Sequence, residues 1–187
     1  MYLQMNSPLA PSALRQPVPG VTTPRVAARP ALRDGSHDFD FEIGTWRVRH
    51  SRLLRPFTTS PEWVRFDGTS KASRIFNRGA VLVEMESDAA GFGDALLLRL
   101  YEPDARQWSI SATDAASGGL GQPLIGEFRS GRGEFYGQDV VNGRAMYSRS
   151  VISEIAASSF TLEESFSDDG GRSWELHSIS RYTRTSR

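Results

Sequence analysis

The sequence predicts an all-β fold: a single antiparallel up-and-down β-barrel of about ten strands, preceded by a short N-terminal helical turn. Three observations lead there. From residue 45 onward, short apolar or alternating runs follow one another with no sustained helical period. Between them lie compact turn clusters, "EPDARQ", "SGRG", "VNGR" and "SDDGGRS", whose Pro, Gly, Asn and Asp residues supply a preset or a positive φ. The folded part holds about 150 residues, enough for one core without covalent staples, and closure leaves its strands with no exposed edge.

Taken in chain order, the helical promise sits in "SHDFDFEIG", where Ser36 or Asp38 is placed to cap one turn that carries Phe39 and Ile43 under the sheet. Strands are expected at 45–54, 62–76, 80–87, 94–102, 107–114, 123–129, 133–140, 144–153, 159–167 and 174–184. Such short connections make sequential strands neighbours in space. At the head of the first strand Gly44 lets the chain approach the sheet closely, while Trp46 points inward and stoppers the narrow end. Val48 and His50 follow Trp46 on the same face, because side chains alternate with period two. "AAGFGDA" and "GGLGQP" read as flexible lips of a barrel opening, with the end on which each lies left open.

Residues 1–36 read differently. They carry six of the ten prolines and no apolar period, so they form a disordered or extended Pro/Ala/Arg-rich tail, and the barrel domain spans 37–187. Basic and acidic residues balance at 22 each, with 21 of the bases arginine. The tail holds four Arg against one acid, which leaves 18 bases and 21 acids in the barrel, and a net acidic domain is no nucleic-acid binder. There is no cysteine, which excludes disulfides, thiolate metal sites and cysteine nucleophiles together. The three histidines, His37, His50 and His177, lack the spacing of a metal site. No secretory or membrane-spanning apolar run occurs, so the expected location is cytoplasmic, with no membrane partner.

"FDFEIGTWRV", "DDGGRSWE" and the closing "YTR" together resemble an uncharacterised bacterial lipocalin-like domain family of the calycin superfamily, over roughly residues 37–185. The resemblance implies a calycin-like barrel in which an arginine near the end of the last strand, Arg184 or else Arg181, lies across Trp46 as a structural pair. It implies no activity. The second and third lipocalin motifs are missing, as is the glycine-rich opening through which a nitrobindin-like relative would imply haem on His177, so no cofactor is expected.

"SDDGGRSW" fits an Asp-box hairpin, in which Asp169 gathers turn amides and Trp174 packs beneath, a structural role. The residues singled out for chemistry are strand polar groups, because an ionisable group on an inward face needs a partner or a task. One register sets Glu163 opposite His177 with Arg149 on the neighbouring strand, and a slip of one residue turns that set outward. Three readings stay open. In the leading one the barrel binds a small, largely apolar organic molecule, with His50, Arg149, Tyr147, Tyr101 and Trp108 as ligand contacts. In the second it is a cofactor-free isomerase, cyclase or hydrolase in which Glu163, His177 and Arg149 are catalytic. In the third the barrel is filled and serves as an interaction module. The expected partner is a small hydrophobic molecule, and homo-oligomers are left open.

Overall fold

The structure is a computed structural model, and it describes residues 33–76, 79–89, 93–114, 118–141 and 143–186. Of the expected tail, residues 1–32 lie outside the described residues. Ten antiparallel strands close into an up-and-down barrel: β1 Gly44–Leu53, β2 Trp63–Arg74, β3 Ala80–Ser87, β4 Ala95–Glu102, β5 Gln107–Asp114, β6 Leu124–Arg129, β7 Arg132–Val141, β8 Arg144–Ser153, β9 Ser159–Ser167 and β10 Glu175–Ser186. Each strand pairs with its sequence neighbours, and β1 pairs with β10 to close the ring. The turns carry the backbone strain that the sequence prepares for. Ser130 and Gly131 between β6 and β7, and Gly170 and Gly171 between β9 and β10, all have positive φ.

Among the described residues a single 3-10 turn, Asp40–Glu42, precedes β1. Neither Ser36 nor Asp38 caps it: the N-cap position is Phe39, with no side-chain cap bond. Asp38 is taken by Arg33, while the Gly35 carbonyl accepts the Trp108 indole N–H at 2.9 Å. Residues 33–36 therefore pack on the barrel together with the turn. Phe39 is fully buried there, edge-on to Trp108 and Phe128, and Ile43 is partly buried against the same core.

This turn seals one end. Trp46 is 0% exposed, its indole N–H donates to the Glu42 carbonyl at 2.6 Å, and the Arg184 guanidinium lies 4.0 Å above its ring. Arg184 also donates to the Ile43 carbonyl at 2.7 Å, to the Ala157 carbonyl at 2.9 Å and to the Phe41 carbonyl, tying β10 to the turn and to the β8–β9 connection. Beneath the plug, Glu42 and Arg99 form an ion pair at 0% and 2% exposure, with Arg99 stacked 4.3 Å over Phe39. Burial pushes the Glu42 carboxyl up, and Arg99 opposes it.

Candidate functional site

Along the barrel axis the inward faces change character. Around the plug the inward residues Trp46, Val48, Val83, Trp108 and Phe135 are fully buried. Toward the opposite end Phe66, Met85, Leu97, Leu124, Leu162, Glu164 and His50 are only half-buried, although they continue the same inward faces. Side chains that point inward and still meet solvent line a recess. Because strands alternate in direction, the β1–β2, β3–β4, β5–β6, β7–β8 and β9–β10 connections all leave from this open end. "GGLGQP" therefore flanks the mouth, as does the connection containing "AAGFGDA", whose residues 90–92 lie outside the described residues.

The recess has two unlike walls. Strands β2 to β6 contribute Phe66, Met85, Leu97 and Leu124. Strands β8, β9, β10 and β1 contribute Ser148 and Ser150, then Glu164, then His177, Ser178 and Ser180, and finally His50. A solidly packed barrel would carry large apolar side chains at these positions, since interiors fill to crystal-like density and buried polar groups are costly. Small hydroxyl residues on β8 and β10 take up little of that volume instead.

His50 Nδ1 and Ser180 Oγ share a hydrogen bond of 2.8 Å, and the ring stacks on Phe66 with centroids 4.7 Å apart. His177 enters the recess through a β-bulge: Leu176 pairs with Ser165 and Ser178 with Glu164, so His177 is the extra residue. It stacks flat on Phe166 at 3.8 Å. Burial lowers the pKa of both imidazoles, Glu164 pulls each back up, and Arg52 opposes that. Both rings are thus mainly neutral near pH 7. Among the described residues no hydrogen bond or ion pair engages the Glu164 carboxylate.

The structure brings His50 and His177 together but not the rest of the expected set. Glu163 pairs with Ile179 and Val151 on the outer face, so it does not stand opposite His177. The connection of residues 168–174 places Glu175 opposite Phe166, one residue off the expected register, and the bulge adds another. Arg149 also faces outward, its guanidinium 4.6 Å over Trp174, and Tyr147 stands exposed outside, opposite Gln138. Tyr101 and Trp108 do point inward, but at the plugged end, where the Tyr101 hydroxyl accepts the Gly35 N–H at 3.0 Å. They hold the incoming chain, away from the recess.

Asp169 organises the Asp-box hairpin. Its carboxylate accepts the Arg172 and Ser173 N–H groups at 2.9 and 3.0 Å and the Ser167 and Ser173 hydroxyls at 2.8 and 2.7 Å. These bonds, the Ser173 N–H first, hold its pKa well below the usual carboxylate range. Glu164 and Arg52 were missed as recess residues, yet period two assigns both: Arg52 shares the face of Trp46, and Glu164 that of the aromatic Phe160. A separate shallow cleft lies on the outer wall beside the exposed Phe76, lined by Gly79, Leu100, Tyr101 and Ser109. Among the described residues no helix is long and apolar enough to cross a membrane.

No family model and no curated protein matches this chain. Among solved structures, the S-type phycobiliprotein lyase CPES from Guillardia theta is similar over 81% of this chain and 94% of its own, at 12% identity and a TM-score of 0.50. The monomer form of the M. tuberculosis PknI sensor domain aligns over 77% of this chain and 87% of its own, at 12% identity and a TM-score of 0.35. At this identity the first likeness is one of barrel fold.

Proposed function

We propose that the barrel binds a small, largely apolar organic molecule in the recess opposite Trp46. The observation that carries this reading is the division of the recess into an apolar wall, Phe66, Met85, Leu97 and Leu124, and a hydroxyl- and imidazole-bearing wall that includes His50, His177 and Glu164. An apolar body desolvates against the first wall, at about 25 cal/mol per Å² of apolar surface buried. A polar end finds its partners on the second, which fixes orientation. The plugged end stays closed behind the Glu42–Arg99 pair and the Arg184 clamp on Trp46, a closure that also supports placing the chain among lipocalin-like barrels.

A thermal-shift screen of amphiphilic metabolites tests the reading. A ligand at 100 times its Kd stabilises the fold by about 2.7 kcal/mol, or roughly 5–10 °C for a domain of this size. Leu97→Trp fills the apolar wall and should abolish the shift while the protein stays folded. Absence of any shift across chain lengths and head groups would defeat the proposal.

A further inference from the structure

We infer that the recess selects an organic cation: an amphiphile whose head is an ammonium or amidinium group seated against Glu164, with its hydrocarbon body on the apolar wall. The inference rests on the recess reading and narrows it to one ligand chemistry.

Glu164 points inward from the middle of the polar wall, half-buried, between Ser150 on β8 and Ser178 on β10. The other carboxylates with close partners in this barrel are answered: Glu42 by Arg99, Asp38 by Arg33, and Asp169 by its hairpin amides. Glu164 has no hydrogen bond or ion pair among the described residues. A charge withdrawn from water without a partner is destabilising, so a carboxylate kept in that position is complementary to something that arrives.

The groups around it can accept hydrogen bonds as well. His177, only 7% exposed and stacked on Phe166, receives no hydrogen bond from another side chain among the described residues. His50 commits Nδ1 to Ser180, which leaves Nε2. A neutral imidazole carries one acceptor nitrogen, which is Nε2 of His50 when its Nδ1–H donates to Ser180, and serine hydroxyls accept as readily as they donate. An ammonium brings three donors and no acceptor, which matches this set. A carboxylate head would bring only acceptors to face Glu164.

Charge at the mouth agrees. Asp139, opposite the inward Met146, Asp114, opposite Ala95, and Glu175, opposite Phe166, continue inward faces at the rim, as do Arg52 and an Arg144 already paired with Asp168. Among the described residues, carboxylates outnumber guanidiniums on these faces, so the opening favours approach of a cation.

The test compares octylammonium, octanol and octanoate by calorimetric titration against the full chain, Glu164→Gln and, as an outer-face control, Glu163→Gln, with folding of each checked by circular dichroism. Octylammonium should bind about tenfold tighter than octanol, with octanoate weakest. Glu164→Gln should erase that advantage, bringing octylammonium to the level of octanol or below, while Glu163→Gln leaves it in place. Should Glu164→Gln fail to fold, the wild-type preference for octylammonium must still shrink as salt rises from about 50 to 500 mM. Equal or tighter binding of octanol or octanoate, or a preference that survives Glu164→Gln, overturns the cation assignment while leaving the recess standing. Failure of all three to bind overturns both.

Discussion

Replacing Arg99 by methionine tests the buried ion pair beneath the plug. Arg99 is 2% exposed and Glu42 is 0% exposed, so the substitution strands a carboxylate where water cannot reach it. Breaking one side of such a pair costs about 3–5 kcal/mol. For a domain of about 150 residues, 1 kcal/mol moves Tm by roughly 2–4 °C, so Arg99→Met should melt some 6–20 °C below wild type near pH 7. The pH dependence supplies a second check. Burial already raises the Glu42 pKa, and Arg99 is what opposes the rise. Without Arg99 the folded-state pKa climbs further above the unfolded value of about 4.3. A raised acid keeps its stability below the unfolded pKa and loses it as pH rises, so the deficit of Arg99→Met should be small near pH 4 and grow toward pH 8. Chemical denaturation across that range measures it. Adding Glu42→Leu should recover much of the loss, since apolar replacement of a buried pair is often neutral or stabilising. A deficit under about 1 kcal/mol at pH 7, or one that grows toward acid, would refute the reasoning.

Three further outcomes follow from the geometry. Trp46→Ala removes the fully buried stopper and the face under Arg184, and should cost about 3–5 kcal/mol in urea unfolding. Gly126→Ala puts a methyl group into the Glu134 carbonyl oxygen of the paired strand, so it should loosen the β6–β7 ladder by about 1–3 kcal/mol or more and raise amide exchange along it. His50 and His177 have lowered folded-state pKa values, so the unfolded chain takes up protons first below pH about 6.5. Their contribution to stability is therefore present above that pH and lost as pH falls through the folded values. Replacing both by glutamine should flatten the slope of the urea midpoint between about pH 7 and pH 5.

Much of the fold was legible in the sequence because turn chemistry is local. The Gly, Asn and Asp clusters mark where hairpins must bend, and every strand lies within two residues of where those clusters and the alternating runs put it. Trp46, Val48 and His50 share an inward face through simple alternation. What escaped depends on register and on strands without contrast. The connection at the Asp box and the bulge at His177 decide that Glu164 rather than Glu163 joins the recess, and neither the pairing offset nor a bulge is written in residue types. Strand β4, "ALLLRLYE", is apolar on both faces, so nothing in its pattern announces that Arg99 points inward to Glu42. Tyr101 and Trp108 could have been placed at the plugged end by topology alone, since β5 starts at the end where β1 starts.

The most direct measurement is site-resolved. In long-range ¹⁵N–¹H spectra of the imidazoles, titration with any amphiphile that raises Tm should shift the ring resonances of His50 and His177, together with the amides of Leu97 and Glu164, and leave Leu100 and Ser109 still. Saturable shifts at Leu100 and Ser109 beside the outer cleft, with both imidazoles unmoved, would contradict ligand binding inside the barrel.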